Sequence, residues 1–386
     1  MLFSAQDSID SGTFLSEYWQ KKPLLLRAAL PDFTDPITPE ELAGLACEDD
    51  VESRLVFKSA MGWEMKQGPF TERDFTFLNE KDWTLLVQSV DLWVEEVKPL
   101  LREAAFIPAW RLDDIMISFA ANGGGVGPHF DYYDVFLIQG QGKRLWQIGD
   151  FCNSDTSLDT SSGLKILTDF EPTREFELET GDVLYIPAGL SHCGTATEAG
   201  LSYSIGFRAP DVAELLSAFS YLAAETLPAD LRYRDPASEK EHRPGEIDSN
   251  ALHQVKALMQ HAFNDDSLVL ESFGRLMTEP RIPELVEPPE QQMTPVTMAQ
   301  ALQKGFVLKA NPVTRFACHH SEDLLTLFVN GECLTLGHPV EKLLALNTEL
   351  QRAMGTELSL EPFQRHEKCL ELLTFLYNRG YLTGAS

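Results

Sequence analysis

Gly127-Pro128-His129-Phe130-Asp131 is the stretch on which the fold turns. In an extended strand residues two apart share a face, so the His129 imidazole and the Asp131 carboxylate are expected to point the same way, into a barrel. Two such donors make most of a 2-His-1-carboxylate facial triad, the set that suits Fe(II) and leaves coordination positions open. Alone the pair says little: with 59 acidic residues and nine histidines, chance supplies a match or two. His320-Ser321-Glu322 is one, read as a decoy because only His338 and His366 follow it, in helix-like surroundings.

Outward from the pair, the context becomes specific. A Gly181-Asp182 turn opens the strand Val183–Ile186, Pro187 closes it, and Gly189 bends the chain so that His192, 61 residues after Asp131, returns to the site. Upstream, Asn122-Gly123-Gly124-Gly125-Val126-Gly127 lacks the Gly-Lys-Ser/Thr ending of a phosphate-binding loop and reads as a flexible loop over the site mouth. Downstream, Gly140-Gln141-Gly142-Lys143 reverses the chain into Arg144–Ile148, where alternation groups Arg144, Trp146 and Ile148 on one face. If that face is inward, the guanidinium needs an anion, and its fork fits a carboxylate. The alternative is an outward Arg144 with Lys143 inward. Tyr133 continues the register of His129 and Asp131, either lining a substrate channel or packing in the barrel.

Short apolar segments at Ile115–Phe119, Val135–Gln139, Leu145–Ile148, Val183–Ile186 and Leu201–Phe207, separated by glycine turns, predict an antiparallel barrel or sandwich. Before it, Thr38-Pro39-Glu40-Glu41 is a capping box that starts a helix running to about Ala46. After Pro210 the pattern turns helical. Asp211 caps a stripe of Val212, Leu215, Leu216, Phe219 and Leu222, and further helices are expected at Ser249–Phe263 and Asp266–Leu276. Their apolar stripes need a partner, either the barrel or a second subunit, with Leu215 and Phe219 as interface candidates. Pro283, Pro288, Pro289 and Pro295 mark a linker. Beyond it, helix Thr297–Lys304, strands Phe306–Lys309, Leu324–Val329 and Glu332–Leu336, and helices Pro339–Met354 and Pro362–Asn378 suggest a winged-helix-like module without a basic recognition helix.

The whole chain, 386 residues with 44% hydrophobic content, six Trp and 23 Phe, is long enough for two or three well-packed domains and excludes a mostly disordered protein. A formal charge of −28 argues against direct nucleic-acid binding and favours a basic partner. Six scattered cysteines without a Cys-x-x-Cys pair indicate neither a disulfide framework nor a thiolate zinc site. No apolar run is long enough to span a membrane and no signal-peptide pattern opens the chain, so a cytoplasmic location is expected.

His129-x-Asp131, Arg144 and Pro187-x-Gly189-x-x-His192 together resemble the JmjC-type, cupin-fold 2-oxoglutarate oxygenases, and among them the ribosomal oxygenases. The entry segment Phe14-Leu15-Ser16-Glu17-Tyr18-Trp19-Gln20-Lys21-Lys22-Pro23-Leu24-Leu25 is similar to theirs as well. The resemblance covers essentially the whole chain, specifically in the barrel and more loosely beyond Pro210. It implies a mixed α+β fold: a double-stranded β-helix (cupin/JmjC) barrel, a helical dimerisation segment and a winged-helix-like domain, divided at 1–210, 211–282 and 290–386. It implies Fe(II) held by His129, Asp131 and His192, 2-oxoglutarate as cosubstrate with its distal carboxylate on Arg144, O2, and no catalytic residue beyond the metal centre. Relatives often carry Lys at the Arg144 position; Arg is similar to the bacterial branch. Ser118, Ser202 and Ser204 are candidate hydroxyl contacts to the cosubstrate.

The implied reaction is hydroxylation of an arginine side chain of large-subunit ribosomal protein L-sixteen by a homodimeric enzyme. Tyr133, Asp114 and Asp134, near the metal motif in sequence, are the candidate substrate contacts. A JmjC-type lysine demethylase and a non-enzymatic cupin or winged-helix regulator are the alternatives. Possession of all three ligands and Arg144 argues against a non-enzymatic cupin, and the acidic charge against DNA binding.

Overall fold

In the computed structural model, residues 2, 9–60, 62–235, 245–353 and 357–385 are described. The chain forms two compact units whose main boundary falls between Ala209 and Pro210. In the first unit two antiparallel sheets face each other. The larger has eight strands, in the spatial order Leu24–Leu26, Val183–Ile186, Val135–Gln139, Gly200–Phe207, Leu112–Ala120, Trp83–Val87, Ser53–Ser59 and Gly62–Gln67. The smaller consists of Arg174–Leu178, Lys143–Phe151 and Leu190–Glu198.

Strand alternation decides what each face of the large sheet does. Leu137, Leu184 and Ile186 point inward, against Trp146, Ile148, Leu178 and Leu190, and form the apolar part of the barrel interior. Their neighbours Ile115, Ile117, Phe136, Ile138, Tyr185 and Tyr203 point to the opposite face and pack under the N-terminal segment, with Phe14 and Leu42 among the partners. The N-terminal helix Pro39–Leu45 starts as its sequence dictates: Thr38 Oγ1 accepts from the Glu41 amide at 3.2 Å and Glu41 Oε2 from the Thr38 amide at 2.9 Å. A cap of this kind contributes ~1 kcal/mol.

The strands Ser53–Ser59, Gly62–Gln67 and Trp83–Val87, which the sequence pattern does not announce, extend the large sheet beyond the barrel proper. The segment 122–129 is also not the free loop expected. Gly123 donates to the Ala196 carbonyl at 2.8 Å and Ala196 back to Gly124 at 2.9 Å, so it runs as an irregular fourth strand along Leu190–Glu198.

The second unit opens with the helices Val212–Thr226, Ser249–Phe263 and Asp266–Thr278. Phe219, expected at an interface, is buried within this chain with Leu222, Ala223, Ala262 and Leu268, and stacks on Phe263 at 4.5 Å; Leu215 is half-buried. Val212, Leu216, Tyr221, Leu252, Val255 and Met259 are among the exposed apolar side chains of these helices. The helical segment and the C-terminal module form one unit. Gly274 lies so close to the Phe328 ring that a Cβ would meet it at 2.5 Å, which lets Asp266–Thr278 pack on the three-stranded sheet Phe316–His320, Leu325–Val329, Glu332–Leu336. Val307–Ala310 pairs with Leu382–Ala385, and the helices Pro295–Gln303, Val340–Ala353 and Glu367–Asn378 complete the module. No described helix is long and apolar enough to cross a membrane.

Candidate active site

His129 is not on a continuous strand, as alternation alone predicts, but at an isolated antiparallel bridge opposite His192. The His129 amide donates to the His192 carbonyl at 2.9 Å and the His192 amide to the His129 carbonyl at 2.8 Å. Directly opposed residues in such a pair project to the same side, which sets the two imidazoles together with ring centroids 4.3 Å apart. His192 itself lies on the strand Leu190–Glu198 rather than on a turn. Asp131 follows, just ahead of a bend at Tyr132 and Tyr133, and is tied down by Gly189, whose amide donates to the Asp131 carbonyl at 2.7 Å. Gly189 has φ +80°, a conformation that glycine adopts without a Cβ penalty.

Each imidazole has its Nδ1 2.9 Å from a main-chain carbonyl, that of Gly127 for His129 and that of Leu190 for His192. A carbonyl only accepts, so Nδ1 carries the proton and the Nε2 lone pairs are left facing Asp131. Asp131 Oδ2 lies 3.9 Å from His129 Nε2 and 3.6 Å from His192 Nε2. Three acceptors facing one another require a cation. At neutral pH it is not a proton on His192, because burial and then the nearby His129 pull its pKa down to about 4. A metal ion with bonds of ~2.1 Å spans both gaps, and the donor set is that of non-haem Fe(II). Among the described residues this is the one His/Cys/Asp/Glu cluster with donor atoms close enough to share an ion. His320 is elsewhere, exposed at the end of the strand Phe316–His320 rather than in helical surroundings.

Arg144 is inward and buried, while Lys143 is on the outside, bonded to Glu179 at 2.7 Å. Register places Ala196 opposite Arg144, Gly194 opposite Trp146 and His192 opposite Ile148, so Arg144 lies four residues, roughly 13 Å of strand, from the metal-site end. Gly194 clears room for Trp146: a Cβ there would meet the indole at 2.8 Å. Trp146 stands between the two ends, its ring centroid 5.8 Å from that of His192 and 5.8 Å from the Arg144 guanidinium carbon. Arg144 Nη1 donates to Ser118 Oγ at 3.2 Å, but Nη2 is buried without a partner, as is the indole Nε1 of Trp146. Desolvation lowers the Arg144 pKa to about 10, which leaves it charged at neutral pH. A buried cation with an unused donor at one end and a metal-type triad at the other suits a short dianion.

Ser202 and Ser204 share the inner face of Gly200–Phe207, but the Ser202 hydroxyl is taken up by Gln139 Oε1 at 2.9 Å. Ser204 is half-buried between Met116 and Leu137. Tyr133 is 43% exposed, and its hydroxyl end lies against Asp131; crowding by protein and that carboxylate push its pKa up. Two expected substrate contacts are occupied inside the protein. Asp114 is buried and its Oδ2 accepts from Gln88 Nε2, the Ser89 amide and Ser89 Oγ, all within 2.9 Å. Asp134 is fully buried, accepting from Tyr185 Oη at 2.6 Å and Gln20 Nε2 at 3.2 Å, with Arg111 Nη2 3.6 Å away. Carboxylates so enclosed hold the fold and do not reach a ligand. Sequence reasoning missed Arg54, which strand Ser53–Ser59 turns to the inner face.

Comparison with known proteins agrees with this geometry. A JmjC domain matches residues 99–215 and a ROXA-like winged helix residues 257–383. The chain is 36% identical to the ribosomal protein uL16 3-hydroxylase of Escherichia coli K12, over 95% of this chain and 96% of that protein. It is 33% identical to a probable ribosomal oxygenase of Haemophilus influenzae, over 86% and 84%. The solved structure of the E. coli ribosomal oxygenase YcfD in complex with cobalt and 2-oxoglutarate superposes with a TM-score of 0.82 at 34% identity, covering 98% of this chain and 99% of that one. With the double-sheet barrel, the His-Asp-His cluster and the C-terminal winged helix in place, the chain belongs to the JmjC-domain ribosomal oxygenase family.

Proposed function

We propose that this protein is an Fe(II)- and 2-oxoglutarate-dependent oxygenase that hydroxylates an arginine side chain of ribosomal protein uL16. The observation that carries the reading is the pairing of two unsatisfied features on one barrel wall. Three mutually facing acceptors, on His129, Asp131 and His192, call for a cation, and a buried Arg144 with a free Nη2 calls for an anion. In this reading the triad holds Fe(II), Arg144 grips the distal carboxylate of 2-oxoglutarate, and Ser118 orients the guanidinium from behind. Fe(II), with 2-oxoglutarate and O2, supplies oxidative decarboxylation to succinate and CO2 coupled to insertion of one oxygen atom into a substrate C–H bond.

The protein's own part is positioning. The Gly127 and Leu190 carbonyls fix the tautomers of both histidines, as outer-shell partners of metal ligands do. Trp146, Leu137 and Leu184 give the cosubstrate a dry wall. A substrate arginine approaching the triad meets the exposed ring of Tyr133, whose hydroxyl lies against Asp131, and a guanidinium stacks on such a face. The charge of −28 favours approach of a basic ribosomal protein. The test is to incubate iron-loaded protein with 2-oxoglutarate and uL16 under air and map the product by mass spectrometry. Gain of one oxygen atom on an arginine, dependent on both iron and 2-oxoglutarate, is expected; unmodified uL16 under those conditions overturns the proposal.

A further inference from the structure

Arg54 is a second cation facing the barrel interior that the metal and cosubstrate do not use. It is paired in the large sheet with Leu86, which is paired with Ser118, the residue bonded to Arg144. Leu55 and Phe57, its neighbours in the strand, pack into the N-terminal core, so alternation turns Arg54 to the barrel side. There its Nη2 lies 3.8 Å from the Met116 thioether, a weak acceptor, and its Nε is buried without a partner. Among the described residues no carboxylate stands within ion-pair distance of it.

Half-buried guanidinium groups are normally matched by acceptors, and this one is matched by none that would satisfy it. 2-Oxoglutarate has only two carboxylates, and the proposed reading already assigns one to Arg144 and the other to the metal. The acceptor must therefore come with the second substrate. A cationic side chain is repelled from this position, and a basic segment is poor in carboxylates but brings a carbonyl oxygen at every residue, so the acceptor that fits is one of the polypeptide main chain. We infer that Arg54 is a positioning residue for the protein substrate: its guanidinium donates to a main-chain carbonyl of the incoming segment and, by like-charge repulsion, turns the basic side chain away from itself and toward the metal. This rests on the reading of the site as a protein oxygenase.

Two variants test it in the iron-loaded protein, Arg54→Met, which keeps an unbranched side chain without charge, and Arg54→Lys. Arg54→Met is expected to raise the KM for uL16 about ten- to hundredfold with kcat changed far less, as fits the loss of one or two charge-assisted bonds. Its 2-oxoglutarate affinity and melting temperature are expected to match the wild type, and Arg54→Lys should recover part of the KM. An unchanged KM beside an active wild type overturns the assignment alone. A parallel loss of 2-oxoglutarate affinity overturns it too, in favour of a cosubstrate contact. Wild-type protein that leaves uL16 unmodified removes the functional reading and this inference with it.

Discussion

The Gly189 amide is hydrogen-bonded at 2.7 Å to the main-chain carbonyl of Asp131, and Gly189 sits at φ +80° to make that bond. A Cβ at 189 would meet the Cys152 carbonyl at 3.3 Å in a backbone conformation that L side chains avoid. Gly189→Ala should therefore cost about 1–2 kcal/mol of unfolding free energy, measured in denaturant. It should also weaken metal binding, because the bend that aims Asp131 relaxes. A variant with unchanged Co(II) affinity would show that the bend is held by other contacts.

Removing the carboxylate of the cluster has opposite effects on the metal-free and the metal-loaded protein. Asp131→Ala takes away one of three facing acceptors, so the metal-free variant should melt at the wild-type temperature or higher. Ligand binding to the native state alone raises stability by mass action, and Co(II) should raise the wild-type melting temperature but not that of the variant. Thermal scans with and without Co(II) give both numbers. A variant still stabilised by Co(II) would remove Asp131 from the ligand set.

Arg144→Ala leaves the distal end of a dianion in a dry cavity without its cation, a loss of about 3–5 kcal/mol. Affinity for 2-oxoglutarate should fall by two or more orders of magnitude while Co(II) binding holds. Arg144→Lys should fall between the two, since an ammonium cannot reproduce the fork that reaches both Ser118 and a carboxylate. Isothermal titration decides, and equal affinity in all three proteins would move the anion site elsewhere.

The exposed apolar side chains of the helices after Pro210 are the proposed homodimer surface. Leu216→Glu with Met259→Glu should give folded monomers in sedimentation equilibrium, because both side chains are exposed in the single chain. Phe219→Asp should instead lower stability by about 3–5 kcal/mol, since it buries a charge against Phe263. Monomeric wild-type protein at micromolar concentration would end the dimer proposal.

Turnover of a basic protein substrate should depend on salt. Attraction by a −28 surface is screened over ~8 Å at physiological ionic strength. KM should therefore rise steadily with added salt while kcat for bound substrate stays level. A salt-independent KM would indicate recognition by shape and main-chain contacts alone.

His129, Asp131, His192 and Arg144 were picked out in the sequence by their motif and the Gly and Pro turns around it, whereas strand alternation left the inward and outward readings of Arg144 both open. The reason the histidines converge was not legible. It lies in a main-chain pair between residues 63 apart in sequence, His129 and His192. Asp114 and Asp134 looked available for the same reason that they are not: nearness in sequence to His129 says nothing of Ser89 or Tyr185, which occupy them. Phe219 lay on a plausible interface stripe, and only the return of Phe263 showed that the partner is internal. Arg54 gave no signal because an arginine in a strand is ordinarily on the wet side.

The reciprocal bonds between His129 and His192 have a consequence for how this site can diverge. The distance between the two imidazoles is a property of backbone pairing, and their tautomers are set by backbone carbonyls, so few side-chain changes can disturb them. Tyr133 at the rim beside Asp131, by contrast, is exposed and can be exchanged without touching that pairing. Such a scaffold lets the choice of substrate drift while the oxygen chemistry is inherited intact, so altering the rim is the natural first route to redirecting the enzyme toward a different protein.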